Sequence, residues 1–212
     1  MSDSVSVFNA QPTGSVAEES PLAWSFQQCG TKQSGGNSGV TLRERPGLGH
    51  LTLRGGAIAL DKALRATLGL SLPAKPLSLM QDASGAYTAQ WLSPDEWLLI
   101  VPPGEAFGVE SRLRAEMGSE LYAITDVSGG QTLLELRGES VRLLLQKSVI
   151  CDVHPHAFPV GKGVVTCFAR ASVNLRRPDE ACWQLVVRRS FADYSYRWLL
   201  DAGAEYGIEV TQ

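Results

Sequence analysis

Paired cysteines, long apolar runs, an excess of basic charge and the familiar nucleotide and nucleophile motifs are all missing from this chain of 212 residues. Its four cysteines, Cys29, Cys151, Cys167 and Cys182, lie far apart and none forms a C-x-x-C pair. In a chain of this length they read as reduced thiols of a cytosolic protein, not as a disulfide framework. No apolar run approaches the roughly 18 residues that would suggest a membrane span. The first 30 residues hold no basic stretch followed by an apolar core, which argues against a signal peptide. With 19 basic and 22 acidic residues the net charge is -3, and no basic run occurs. That balance argues against nucleic acid or an anionic membrane as partner. G-x-S-x-G and G-x-x-x-x-G-K-[ST] are absent, no strand is followed by G-x-G-x-x-G, and Gly47-Leu48-Gly49 is too little for a nucleotide loop. A soluble, cytoplasmic chain is expected.

What is present suits a buried core. Hydrophobic residues make up 44% of the chain, enough for one large domain or two small fused ones. The most informative stretch runs from Trp91 to Val101. Apolar residues lead to Leu92, a polar Ser93-Pro94-Asp95-Glu96 turn follows, and a second apolar run starts at Trp97. Proline presets φ at a turn, acidic residues keep the tip wet, and the flanks suit a buried β-hairpin. The turn recurs as Arg177-Pro178-Asp179-Glu180, ahead of Trp183-Gln184-Leu185-Val186-Val187.

Residues 1–39 are rich in Ser, Gln, Gly and Asn and read as a flexible tail. Pro21-Leu22-Ala23-Trp24-Ser25-Phe26 interrupts it, and either folds back on the core or docks Trp24 on a partner. Alternating apolar residues predict strands at Val40–Glu44, Leu51–Arg54, Leu121–Val127 and Gln131–Arg137, and a second hairpin from Val164–Arg176 and Cys182–Arg188. Helices are predicted at 57–68, 105–117 and 139–147, with Gly69 and Gly118 as stops of the first two. Residues 70–84 and 151–163 read as irregular. Ser190 and Asp193 resemble a capping box for a last helix.

Four elements repeat in the same order. Leu51-Thr-Leu-Arg-Gly55 matches Leu134-Glu-Leu-Arg-Gly138 at an offset of 83, and the two Pro-Asp-Glu turns match at 84. Trp97–Val101 matches Trp183–Val187 at 86, and the helix stripe Ala106, Val109, Leu113, Met117 matches Phe191, Tyr194, Trp198, Ala202 at 85. Two copies at so long a period predict a duplicated domain. The fold class is α+β: a doubled β-α-β-β-α unit, residues 40–120 and 121–212, with helices packed on mixed sheets and a cleft between halves as the natural binding place.

No group of residues has the spacing of a catalytic centre. His154-Pro155-His156 has H-x-H spacing, but zinc needs three or four ligands and no companion cluster exists, so a loop or interface role is expected and no metal. Cys151-Asp152 lies close by, with nothing to orient a thiol–imidazole pair, and reads as structural. Asp126-Val127-Ser128-Gly129-Gly130 ends a strand; it reads either as an Asx-type turn or as a presented carboxylate beside backbone N–H groups. Arg54 and Arg137 end equivalent strands, where each binds a carboxylate or forms a repeated structural salt bridge, the second being expected. Arg188 and Arg189 put two cations at a helix N-terminus, where the macrodipole disfavours them. A compensating anion, external or internal, makes this the best local sign of binding. The hairpin residues Trp91, Asp95 and Trp97 complete the interface or cleft candidates. No catalytic or cofactor-binding residue is assigned.

Seven segments in order carry a family resemblance: Ser20-Pro-Leu-Ala23, Val40-Thr-Leu-Arg-Glu44, Leu51-Thr-Leu-Arg-Gly55, Trp91-Leu-Ser-Pro-Asp-Glu-Trp-Leu98, Thr125-Asp-Val-Ser128, His154-Pro155 with Ala157-Phe158, and Arg189-Ser-Phe-Ala-Asp-Tyr194. Over residues 20–207 the chain resembles the gamma subunit of heterotetrameric sarcosine oxidase, with 27–39 as an insertion. The resemblance implies a complex that demethylates sarcosine to glycine, reduces O2 to peroxide, and forms methylenetetrahydrofolate when tetrahydrofolate is present as co-substrate. It implies FAD, FMN and NAD on the larger alpha and beta subunits, zinc on the small delta subunit, no cofactor on this chain, and a fold like the folate-binding domain of the glycine-cleavage aminomethyltransferase. A related group acting in iron–sulfur maturation carries Lys-Gly-Cys-Tyr-x-Gly-Gln-Glu; the nearest text here, Pro159-Val-Gly-Lys-Gly-Val164, lacks its Cys and Glu.

A non-catalytic, structural subunit of that oxidase is therefore the expected function. The alternatives are a stand-alone folate-binding protein and an aminomethyl-transfer enzyme using Asp126.

Overall fold

Short strands with β-branched and leucine side chains on one face need a helix layer to bury that face, and each half of the chain supplies both. The computed structural model describes residues 18–29 and 38–211. In chain order the elements are α1 (Ala23–Cys29), β1 (Val40–Arg45), β2 (Gly49–Gly55), α2 (Ala57–Leu68), β3 (Leu79–Gln81), β4 (Thr88–Ser93), β5 (Glu96–Val101), α3 (Ala106–Met117), β6 (Tyr122–Asp126), β7 (Gln131–Arg137), α4 (Val141–Ser148), β8 (Lys162–Phe168), β9 (Ala171–Asp179), β10 (Cys182–Arg188), α5 (Ala192–Ala202) and β11 (Ile208–Thr211). None of the described helices is long and apolar enough to cross a membrane.

The strands form two sheets, ordered β3-β4-β5-β2-β6 and β11-β1-β7-β10-β9-β8. The orders correspond under the repeat, with β2 matching β7, β5 matching β10, β4 matching β9 and β3 matching β8. The remaining pair is exchanged: β1, from the first half, pairs antiparallel with β7, and β6, from the second, pairs antiparallel with β2. The sequence boundary at residue 120 therefore divides the repeats but not the sheets.

Alternation sorts each strand between two environments. Leu51, Leu53, Trp97, Leu99 and Val101 face α2 and α3 in one core. Leu42, Leu134, Leu136, Trp183, Leu185 and Val187 face α4 and α5 in the other. The opposite faces meet each other, with Leu98, Ile100, Leu133 and Val186 as their apolar contact. The order of layers is helices, sheet, sheet, helices. An isolated bridge between Ser78 and Lys162 stitches one edge of the pair.

Several expectations are corrected. The second hairpin is a three-stranded meander, because the chain reverses at Ala169, which has φ 50°, and splits the expected strand into β8 and β9. Strands β3 and β11 were not legible as strands; β3 has three residues, and β11 lies beyond the last repeated helix and pairs parallel with β1. Ser190 does not cap α5. It lies in a one-turn 3-10 segment, Arg189–Phe191, and Asp193 accepts hydrogen bonds from Ser25 and Arg197 instead. Within the stretch expected to be a flexible tail, Glu18–Cys29 folds back on the core. Leu22 is fully buried, and Phe26 packs edge-on against Tyr196 at 5.3 Å between centroids. The rest of the expected tail, 1–17 and 30–37, lies outside the described residues.

The repeated Leu-x-Leu-Arg-Gly ends in glycine for a reason set by the exchange. At Gly138 φ is 121°, and a Cβ there would come within 2.3 Å of the Gly39 carbonyl oxygen at the start of β1. At Gly55 φ is 153°, and a Cβ would meet Leu121 and Tyr122 at the start of β6 at 3.1–3.2 Å. Only glycine tolerates both the backbone angle and the passing strand. Gly138→Ala is expected to destabilise the protein by about 2–4 kcal/mol through combined strain and overpacking. Gly55→Ala, with its looser contacts, is expected to cost less. Urea denaturation of the two variants checks the order.

Candidate functional site

Two of the expected binding signals, the Ser128-Gly129 turn and Arg189, meet at one end of the molecule. The turn after β6, the 3-10 segment before α5, the β1–β2 turn and the leading segment line a cleft of about 680 Å³, which includes Glu18, Glu19, Ser20, Gly47, Ser128, Gly129 and Arg189. Asp126, two residues before Ser128, is exposed but does not line this cleft, and its carboxylate is engaged by its own turn: Oδ1 accepts from the Ser128 N–H at 2.9 Å and from the Ser128 hydroxyl. That hydroxyl accepts in turn from the His50 N–H at 3.0 Å. Of the two readings of this turn, the geometry fits an Asx-type turn that locks β6 to β2.

Of the two cations at the helix start, Arg188 is exposed at the end of β10 and Arg189 donates to the Glu19 carbonyl at 3.3 Å. The leading segment is held here by two further contacts. The Ser20 hydroxyl donates to Glu44, which also accepts from Thr132 at 2.7 Å, and Ser25 donates to Asp193 at 2.7 Å. Trp24, between these anchors, is 57% exposed.

The arginines of the repeated strands pair in the same way. Arg54 lies 3.4 Å from Asp95 and 3.8 Å from Glu96, while Arg137 lies 2.9 Å from Glu135 and 3.6 Å from Asp179. Asp95 and Asp179 are repeat-equivalent, so the pairing follows the duplication. The Arg54–Asp95 bridge is exposed and screened by solvent, so it adds little to stability.

The two hairpin tryptophans are not surface groups. Trp97 is buried, with Nε1 donating to the Pro73 carbonyl at 3.0 Å, and Trp91 packs half-buried against the same core. His154 is exposed and stacks on His156 at 5.2 Å between centroids. Pro155 reaches a second cleft of about 520 Å³, lined also by Arg142, Arg177 and Trp183. Among the described residues no group of three or more His, Cys, Asp or Glu could hold a metal. Cys182 is buried, and burial pushes its thiol up to about 12, so it is inert as a nucleophile at neutral pH.

A third polar region escaped sequence reasoning: the seam between the sheets. His50, Thr88, Gln90, Arg176 and Gln184 all point into it, and all but Gln184 are buried. Simple alternation reads such residues as solvent-facing. The available signal was that β9 carries arginine and asparagine opposite Val173 and Leu175 in a hairpin that the repeat equates with a buried one.

His50 shows the seam's effect on charge. Its Nδ1–H donates to the Leu48 carbonyl at 3.0 Å, and Nε2 has no partner among the described residues. Burial pushes the imidazole down from 6.5 to about 4; the Leu48 hydrogen bond and Asp126 oppose the shift and Arg176 adds to it. Between those values the unfolded chain takes up a proton that the folded protein refuses, so stability is complete above the upper value and falls as pH drops toward the lower. The loss between pH 7 and pH 5 is about 2 kcal/mol. His50→Gln is expected to remove that part of the pH dependence, read from urea midpoints at the two pH values.

The architecture and the chain's relatives agree. The model of the sarcosine oxidase, gamma subunit family matches residues 54–205. Sarcosine oxidase subunit gamma of Corynebacterium sp. (strain U-96) is 35% identical over 173 residues, 81% of this chain and 82% of that protein. Its counterpart in Arthrobacter sp is 37% identical over 144 residues, 68% of this chain and 70% of that protein. In the solved heterotetrameric sarcosine oxidase from Corynebacterium sp. U-96, in complex with pyrrole 2-carboxylate, one chain superposes with a TM-score of 0.78 at 32% identity, covering 89% of this chain and 96% of that one. The glycine cleavage system aminomethyltransferase T from Bartonella henselae superposes with a TM-score of 0.64 at 12% identity, covering 90% of this chain and 58% of that one, a likeness of fold alone. The chain belongs to the sarcosine oxidase gamma subunit family.

Proposed function

We propose that this chain is the gamma subunit of a heterotetrameric sarcosine oxidase and that it serves assembly without an active site of its own. The observation that carries the reading is the match along 96% of one chain of the Corynebacterium oxidase at a TM-score of 0.78. In this reading its partners are the alpha, beta and delta subunits in the cytoplasm. FAD, FMN and NAD sit on the two larger subunits and zinc on the smallest. The complex demethylates sarcosine to glycine and peroxide, with tetrahydrofolate as acceptor of the one-carbon unit.

Two features of the chain support it. The candidate charged groups Arg54, Asp126, Arg137 and Arg189 are engaged by local partners, as structural groups are. Large apolar side chains also face solvent, Leu121 at 93%, Ile58 at 90%, Ile150 at 84% and Trp24 at 57%. An exposed tryptophan on an anchored helix has the character of an interface anchor.

A tagged chain recovered from the native host grown on sarcosine is expected to bring down three further chains and a flavin spectrum. A colourless eluate of this chain alone would move the reading to a solitary folate-binding protein. Within the recovered complex, Asp126→Asn is expected to leave sarcosine-dependent peroxide formation and methylenetetrahydrofolate yield within about twofold of the parent. A fall of about a hundredfold or more in the folate product would place transfer chemistry on this chain.

A further inference from the structure

Arg176 occupies the middle of β9 with its side chain in the inter-sheet seam, 1% exposed. Its Nη2 donates to the Thr88 hydroxyl at 2.7 Å, while Nε and Nη1 meet no acceptor among the described residues. Glu135, on the same sheet face, is taken by Arg137 and Arg45, and Gln184 stands between it and Arg176 in the cross-strand row. Burial pulls the guanidinium down to about 10, so it remains protonated at neutral pH. A guanidinium offers five donors in a planar fork, and burying its charge without a counter-charge is costly.

Beside Arg176 lies a pocket of about 270 Å³. Arg45, Thr88 and Gln184 share its polar wall with Arg176, and the exposed residues Ala86 and Pro103 lie at its mouth. Two arginines and no carboxylate line it. The volume suits a ligand of a few heavy atoms, below the range of drug-sized pockets.

We propose that this pocket binds a small oxyanion as the counter-charge that Arg176 lacks, with the guanidinium, Thr88 and Gln184 as its donors and Arg45 adding positive charge at the wall. A guanidinium pairs with the oxygens of a carboxylate and of an inorganic tetrahedral anion alike. The site belongs to the chain's own fold and does not depend on assembly with other subunits.

The test uses the full chain in buffers of constant ionic strength, with chloride exchanged for formate, acetate or sulfate. Thermal melting is expected to rise saturably with at least one of the three anions, and calorimetry to give one site per chain. A response to formate and acetate alone assigns the site to a carboxylic acid; a response to sulfate alone assigns it to an inorganic oxyanion. Arg176→Leu is expected to abolish the saturable response, and Arg176→Lys to weaken binding about tenfold or more through loss of the planar fork. Ala86→Trp, which leaves Arg176 in place and closes the mouth, is expected to block binding and keeps the test valid if the leucine variant does not fold. No saturable response to any of the anions, or an affinity unchanged in the lysine and tryptophan variants, overturns the proposal.

Discussion

Each sheet of this protein is completed by a strand from the other half of the chain, and most other features answer to that exchange. Strand β1 leaves its own repeat to pair with β7, and β6 leaves its own to pair with β2. Neither half can close its sheet alone, so the two cores form together. The exchanged strands start beside Gly138 and Gly55, which explains why the repeated strand ends in glycine where any other residue would carry a Cβ. The exchange also brings the turn after β6 to the start of β2, where Ser128 and the His50 backbone join. The cleft at that end of the molecule is thus a consequence of topology before it is a place for chemistry.

The leading segment is the second consequence. An apolar piece embedded in polar sequence has too little surface of its own to form a core. Here it borrows one: Leu22 and Phe26 enter the core of the second sheet, and Ser20 and Ser25 reach Glu44 and Asp193 across it. That placement leaves Trp24 facing outward on a short helix that is fixed at both sides. Folding back on the core and presenting a partner surface, two readings that stood as alternatives for the sequence, are compatible on opposite faces of one helix.

Much of the architecture could be read from periodicity. The helix at 57–68, its stop at Gly69, the strand 131–137 and the central hairpin fall where alternation and turn chemistry place them. The repeat foretold the doubled α+β unit and the paired arginines, because equivalent residues meet equivalent partners. Strand order was not legible, since a swap between halves changes no local pattern. Long-range pairs such as Thr132 with Glu44, or Ser25 with Asp193, also have no sequence signal. The tryptophans of the hairpin misled for a different reason. Bulky aromatics mark interfaces and cores alike, and only the packing of α2 and α3 decides that Trp97 belongs to the core.

The seam shows where the two copies have parted. Leu98 pairs with Gln90 in the first hairpin, and Gln184 pairs with Arg176 in the second, so that 98 corresponds to 184 and 90 to 176 at a common offset of 86. Under the pseudo-two-fold these are the same two inward positions. The first copy fills them with leucine and glutamine, the second with glutamine and arginine. Seam packing alone gives no reason for that change, since a charge without a buried counter-charge weakens a contact that an apolar side chain would strengthen. Gln90 spends its bulk against Gly163, whose missing side chain lets the sheets approach. Arg176 instead leaves two donors without a partner among the described residues, beside a pocket with a second arginine on its wall. The asymmetry therefore lies in electrostatics more than in packing, and an oxyanion held at Arg176 would supply the counter-charge that the second copy, unlike the first, requires.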